Sequence, residues 1–144
     1  MRGAVAVVCL SVALGGCGGR PAAGPPPIRD GAESCAQCRM LISEARYAAA
    51  SITSTGDVVK FDDVGCLLRY RREHPGDSQQ PSWVHEYRSE AWLRFESASF
   101  VESQEITTPM GSGLLALDTP MAARELAERL HGKVRHPAEL RRTP

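Results

Sequence analysis

The sequence carries no excess of either charge, because 17 Lys+Arg residues balance 17 Asp+Glu residues among 144 in total. It has few aromatic residues, 6%, and no basic run in which they are interleaved. Clustered positive charge is what binds a phosphate backbone, so we expect no nucleic-acid partner. Internal repeats and heptads are also missing, and the hydrophobic content of 42% is that of one ordinary domain.

The N-terminal apolar run is too short to cross a bilayer, which takes about 20 residues. It covers residues 4–14, follows the positive Arg2 and leads into Leu14-Gly15-Gly16-Cys17. A short apolar run behind a positive start is typical of an export signal, and its end resembles the lipobox of bacterial lipoproteins. We therefore expect residues 1–16 to be a lipoprotein signal peptide and Cys17 to carry a lipid. A simple secretory signal is the alternative.

A tether is predicted behind the signal. Residues 18–30 contain four Pro and three Gly with one aliphatic residue, so they cannot bury a core. Residues 17–30 are therefore interpreted as a lipidated cysteine and flexible tether, and residues 31–144 as the globular part. The expected location is the periplasmic face of the cell envelope, at the outer membrane, where lipid and not charge anchors the protein.

Two helices are predicted in the globular part. Asp62 or Asp63 caps the first, which runs to about residue 73. Thr119 caps the second, with Pro120 at its first position. Each helix has apolar residues along one stripe, which indicates packing against a sheet.

Short strands precede each helix in the predicted fold. They are expected at residues 47–53, 58–61, 83–87, 92–95, 99–103 and 114–117, with a last one at Val134. The first two would form a hairpin, and the next four would belong to a second sheet. The tail after Pro137 is expected to fray. The predicted class is α+β, with two small, related ββα(β) halves packed together.

The cysteine count is informative because it is odd. Of five cysteines, Cys9 would leave with the signal and Cys17 would be lipidated, which leaves Cys35, Cys38 and Cys66. Three cysteines cannot form a closed disulfide framework in an oxidising compartment. At least one sulfur is therefore free, intermolecular or a ligand.

A soft donor set stands at the start of the globular part, in Cys35-x-x-Cys38-x-Met40. In an extended segment the sulfurs of Cys38 and Met40 would lie on one side, and the two-residue gap would let Cys35 fold back onto the same ion. Thiolate and thioether together favour Cu(I), whereas a thioether is a poor ligand for Zn²⁺. The spacing therefore favours a copper site.

Other interpretations of these residues stay open. Cys35, Cys38, Cys66 and a histidine could make a structural zinc site. The two thiols of the motif could be a redox dithiol, although they follow a Pro-rich tether and not a core strand. Met40 could simply belong to the core.

Cys66 and Met110 are weighed separately. Cys66 lies at the first turn of the first helix, where helix amides favour a thiolate, but a buried inert cysteine is the commoner outcome. Met110 lies in a loop with Pro109 and two glycines, where a mobile thioether could bind and release a soft ion. His85 could be an auxiliary ligand or a buried polar residue. Asp62 and Asp63 could form an acidic lip near Cys66.

The ordered combination of these motifs resembles the NosL family of accessory lipoproteins for nitrous oxide reductase maturation. The motifs that carry the resemblance are the lipobox at Cys17, Cys35-x-x-Cys38-x-Met40, Phe61-Asp62-Asp63-x-Gly65-Cys66, Trp83, Trp92 and Thr108-Pro109-Met110-Gly111-x-Gly113. The resemblance implies a fold similar to organomercurial lyase and a Cu(I) chaperone, not an enzyme. It further implies that copper comes from an ABC-type membrane complex and goes to apo nitrous oxide reductase, in support of denitrification.

The resemblance also assigns residues. Cys38 and Met40 match the copper motif of the family, with Cys35 and Met110 as neighbouring sulfurs. Arg39 departs from the pattern, because the family usually has Gly at this position; this chain could therefore serve another cuproprotein. The alternatives are a general periplasmic copper scavenger, or a thiol oxidoreductase or organomercury-cleaving enzyme.

Overall fold

The computed structural model of the protein describes residues 24–142. Within them the strands are β1 (Ala49–Ile52), β2 (Val58–Phe61), β3 (Ser82–His85), β4 (Trp92–Arg94), β5 (Ser99–Glu102), β6 (Leu114–Leu117) and β7 (Lys133–Arg135), and the helices are α1 (Val64–Glu73), α2 (Pro120–Arg129) and α3 (Pro137–Leu140). In this part of the chain, no helix combines the length and apolarity needed to traverse a bilayer. The predicted signal peptide and Cys17 lie outside the described residues.

The first sheet has four antiparallel strands in the order β2-β1-β3-β4. A tight turn joins β1 to β2, with Gly56 at a φ of 90°. The expectation that β3 and β4 belong to a second sheet is wrong. Because β2 pairs along only one side of β1, the other side offers unpaired backbone groups, and the chain returns after α1 to place β3 there.

The second sheet has three antiparallel strands in the order β6-β5-β7. The backbone N–H of Tyr87, just beyond β3, donates to the carbonyl of Ala116 in β6 at 2.9 Å, which joins the two sheets. Helix α1 packs against β1, β2 and β6, and α2 packs against the second sheet. The predicted α+β class is confirmed, while the relatedness of two halves stays a prediction.

The helices begin where their caps predict. Asp63 precedes α1, and its carboxylate accepts from the backbone N–H of Gly65 at 2.6 Å. Thr119 precedes α2, and its hydroxyl accepts from the backbone N–H of Ala122 at 3.2 Å. The buried stripe of α1 joins the larger of two apolar clusters, which also contains Phe61, Phe95, Phe100, Cys35 and Cys66. This packing brings residues from distant parts of the chain against the first turn of α1.

The expectation of a frayed tail is wrong, because α3 closes over the larger apolar cluster. The side chain of Leu140 is only 4% exposed and packs in that cluster. Pro137 begins the helix, and the backbone N–H of Leu140 donates to the carbonyl of His136 at 3.2 Å. Leu140, together with the ion pair between Arg141 and Glu96, holds this turn against the rest of the domain.

We expect Leu140→Ala to lower the free energy of unfolding by about 2–5 kcal/mol, because truncation of a buried leucine leaves a cavity. Urea denaturation measures the change. Met121→Ala is the matched control, since Met121 is 71% exposed on α2 and its loss should cost less than about 0.5 kcal/mol. Equal effects of the two variants would show that α3 is not part of the core.

Candidate metal centre

The segment that carries the Cys-x-x-Cys-x-Met motif is a tight loop. The backbone N–H of Cys35 donates to the carbonyl of Met40 at 2.8 Å, and that of Arg39 donates to the carbonyl of Cys35 at 3.0 Å. Residues 36–38 form a turn, and Arg39 has a φ of 67°. The extended geometry that the spacing predicted for Cys38 and Met40 is therefore wrong. The chain reverses between Cys35 and Met40.

This loop, residues 33–42, is fastened along the outer edge of β2. The backbone N–H of Ala36 donates to the carbonyl of Lys60 at 2.8 Å. The Lys60 ammonium lies 2.6 Å from the Glu33 carboxylate, and the hydrogen bond between them lowers the pKa of Glu33. The Gln37 amide donates to Glu73 at the end of α1 at 3.0 Å. The loop is thus fixed at both its base and its tip.

Three sulfur atoms converge where this loop meets the first turn of α1. The Sγ atoms of Cys35, Cys38 and Cys66 all lie within 4.8 Å of one another, and none of the three forms a disulfide. Metal–sulfur distances of about 2.3 Å would place three sulfurs around one ion about 4 Å apart. Small adjustments of the side chains would therefore let all three thiolates bind one metal ion.

The group offers three ligands and not four. Across residues 24–142, no histidine or carboxylate joins these cysteines in a common ligand group. His85 is held elsewhere: its Nδ1 atom bonds the carbonyl oxygen of Ala45, and its ring centroid lies 3.8 Å from that of Trp92. The zinc alternative therefore lacks its histidine, since structural zinc is almost always four-coordinate.

The three thiols do not titrate alike. Cys35 accepts hydrogen bonds from the Cys66 thiol and from the backbone amides of Cys38, Asp62 and Gln37, and these lower the pKa of Cys35 to about 5. The hydrogen bond to Cys35, together with burial, raises the pKa of Cys66, and burial raises that of Cys38. One buried thiolate is therefore stabilised at Cys35 before any ion binds.

The sulfurs span a gradient of exposure. Cys35 and Cys66 are buried, Cys38 is partly exposed, and Met40 is 57% exposed. The group is therefore buried at Cys35 and Cys66 and accessible to solvent at Cys38.

The loop that carries Met110 is joined to α1 through a buried carboxylate. Asp63 accepts from the Thr108 hydroxyl at 2.5 Å and from the backbone N–H of Met110 at 3.2 Å. A Cβ at Gly65 would lie 2.6 Å from the Cβ of Ser112, so glycine permits close approach of this loop to α1. Met110 is partly buried and packs against the apolar cluster that contains Cys35 and Cys66. Its role as a ligand stays a prediction.

Asp62 is the other carboxylate near the thiols. It is buried, and its carboxylate accepts from the backbone N–H of Ser43 at 2.9 Å. Burial, together with the negative charge of the Cys35 thiolate, raises the pKa of Asp62. It therefore lies beneath the surface and does not form an exposed acidic lip.

These features define a small α+β protein with a three-sulfur site that could hold a metal ion. The family model of NosL matches residues 27–143, and the chain belongs to the NosL family. The crystal structure of the copper chaperone NosL from Shewanella denitrificans superposes with a TM-score of 0.68 and 21% identity, covering 78% of this chain and 92% of that chain. Similarity at this level shows a shared fold. No curated protein sequence matches the chain significantly.

The predicted ligand set and the observed group overlap in two residues. Cys35 and Cys38 come together as the motif predicts, and Cys66 joins them, although sequence reasoning favoured an inert cysteine there. The signal for Cys66 was its position at the first turn of α1, where helix amides favour a thiolate. Ligation by Met40 and by Met110 stays a prediction, as does ligation by each cysteine.

Arg39 has a φ of 67°, in the left-handed region where a Cβ costs about 1–2 kcal/mol and glycine is free of strain. This conformation gives a physical reason for the glycine that the family resemblance leads us to expect at this position. The arginine side chain is exposed. The departure from the pattern thus costs backbone strain and adds a positive charge beside the motif.

We expect Arg39→Gly to raise the free energy of unfolding by about 0.5–1 kcal/mol. Relief of the backbone strain stabilises the folded state, and the greater freedom of glycine in the unfolded chain offsets part of this gain. Chemical denaturation of the reduced protein checks this. The control is Arg69→Gly, at an exposed position inside α1, where the same substitution should destabilise by about 1 kcal/mol. A loss of stability in both variants would contradict strain at position 39.

Proposed function

We propose that this protein is a Cu(I)-binding metallochaperone, anchored by a lipid on Cys17 at the periplasmic face of the outer membrane, which delivers copper for assembly of the nitrous oxide reductase copper centre. The observation that carries the proposal is the convergence of three cysteine sulfurs, which lie within 4.8 Å of one another. Membership of the NosL family and the fold shared with a copper chaperone support it.

The donor set favours a monovalent soft ion. Cu(I) accepts two or three thiolate and thioether ligands, whereas zinc prefers a complete tetrahedral set. In this proposal Cys35 and Cys38 bind the ion, Met40 supplies a thioether from the open side, and Met110 supplies one from its loop. Cys66 is added to the predicted set because its sulfur belongs to the same group.

The proposed reaction is ligand exchange and not catalysis. Buried Cys35 would hold the ion while exposed Met40 and half-exposed Cys38 give way first. A sulfur or imidazole of the recipient would replace them one at a time, so that no step releases bare copper. The ion would reach the protein from an ABC-type membrane complex and leave it for apo nitrous oxide reductase or another cuproprotein. A general copper scavenger would share the site but have no such recipient.

We expect the reduced protein to bind Cu(I), and substitution of any ligand to weaken binding. Cys35→Ser, Cys38→Ser, Cys66→Ser and Met40→Ala should each lower the affinity by at least about tenfold, equivalent to 1.4 kcal/mol. Anaerobic competition with a chromogenic Cu(I) chelator measures this affinity. Met121→Ala is the control, because it removes an exposed thioether from α2.

Three outcomes separate the possibilities. No Cu(I) uptake, or a preference for zinc, would contradict the proposal. An unchanged affinity in Met40→Ala would remove the thioether from the ligand set. An unchanged Cu(I) affinity in Cys66→Ser would show that Cys66 is a core residue and not a ligand. Circular dichroism of each variant shows whether the fold is retained.

We expect copper to pass from the loaded protein to apo nitrous oxide reductase on mixing. Copper content of the re-isolated enzyme measures transfer, and equimolar free Cu(I)-chelator complex is the control for passive loading. Faster transfer from Met40→Ala is expected, because this variant would hold the ion with one ligand fewer. Equal loading from the protein and from the chelator would favour a scavenger over a delivery protein.

One observation favours a second candidate, an organomercury-cleaving enzyme. Such chemistry needs a proton donor beside the thiols, and burial raises the pKa of Asp62 near Cys35. Met40 has no part in this reaction, so Met40→Ala separates the candidates: it weakens a copper site and leaves thiol-dependent cleavage unchanged.

A further inference from the structure

Arg71 is a buried cation whose hydrogen bonds are incomplete. Its side chain is 6% exposed and stacks on the ring of Phe95, with 4.8 Å between the guanidinium carbon and the ring centroid. Nη2 donates to the Ser82 hydroxyl at 2.5 Å and to the carbonyl of Gln80 at 3.3 Å, but Nε and Nη1 have no partner. A buried charge with unpaired donors is destabilising unless something else compensates it.

The surroundings do not neutralise this charge. Arg71 forms an ion pair with Glu96, in which Nη2 lies 3.9 Å from a carboxylate oxygen. Glu96 also pairs with Arg94 and Arg141. Burial and the positive charge of Arg141 lower the pKa of Arg71 to about 10, which still leaves it protonated at neutral pH. Three guanidinium groups thus share one carboxylate.

A cavity of about 250 Å³ lies beside these groups. Arg71, Arg72 and Arg141 give it a positive side, and no acidic residue lines it. Its apolar side comes from Leu68, Pro75 and Leu140. An anion in this cavity would be attracted by three cations, the buried Arg71 and the exposed Arg72 and Arg141.

We propose that this cavity is a binding site for a small organic carboxylate. The charged group of the ligand would point toward Arg71, Arg72 and Arg141, and its apolar body would contact Leu68 and Leu140. The apolar side favours such a ligand over inorganic phosphate, which would leave that side without a contact. The volume accommodates a few heavy atoms. The proposal rests on the surroundings of Arg71 and not on the copper site.

Butyrate, n-butanol and inorganic phosphate are the probes, each titrated into the full chain in chloride-free buffer. We expect butyrate to bind in calorimetry and to raise the melting temperature, and we expect n-butanol, its uncharged analogue, to do neither. Arg71→Met keeps the bulk of the side chain, and Arg141→Gln removes the positive charge just after the end of α3. Each should weaken butyrate binding by at least about tenfold, while exposed Arg124→Gln on α2 should not change it.

Two results would overturn the proposal. Absence of a butyrate effect, or the same effect in Arg71→Met and Arg141→Gln as in the unchanged protein, would show that the cavity holds only water. Binding of phosphate in place of butyrate would overturn the assignment to a carboxylate. If Arg71→Met fails to fold, Arg141→Gln still decides the matter.

Discussion

The carboxylate of Asp63 is the constraint on which the geometry of the site depends. It is fully buried, and its three hydrogen-bond donors are neutral: the backbone N–H groups of Gly65 and Met110 and the hydroxyl of Thr108. One carboxylate oxygen caps the N-terminus of α1, and the other binds the loop of Met110 and holds it against the first turn of this helix. Because Cys66 lies in the same first turn, the cap of a helix also positions Cys66 relative to the loop of Met110, and both are ligands in the proposed function. The hydrogen bonds of one side chain therefore both cap the helix and assemble the site.

The sulfur atoms of the motif and of Cys66 differ in how deeply they are buried. Cys35 and Cys66 belong to the larger apolar cluster, so their positions are set by core packing. Cys38 lies at the edge of that cluster, and Met40 is beyond it in solvent. A ligand that is held by the core retains an ion, and a ligand in solvent can exchange. The same loop therefore combines retention with access, which a uniformly buried site would not allow.

Sequence reasoning located the elements well because their signals are local. Caps at Asp63 and Thr119 and the apolar stripes of α1 and α2 fixed the helices, and the cysteine motif indicated where metal chemistry lies. It failed where partners are chosen in three dimensions: β3 pairs with β1 across a helical connection, and Leu140 folds back onto the core. The left-handed backbone at Arg39 was equally hidden, since the spacing favoured an extended segment and arginine gives no signal for positive φ.

The loop that carries Cys35 and Cys38 is held by contacts within the protein. Backbone hydrogen bonds across the loop, the Glu33–Lys60 ion pair and the contact of Gln37 with Glu73 fix the loop without metal. Metal affinity in small zinc domains includes the free energy of folding, so removing the ion unfolds them. Here the contacts that fix the loop do not involve the thiols, so we expect the fold not to depend on a bound ion. In the proposed function, a protein that releases its ion would benefit from this independence, because the three sulfurs would stay close together for the next ion.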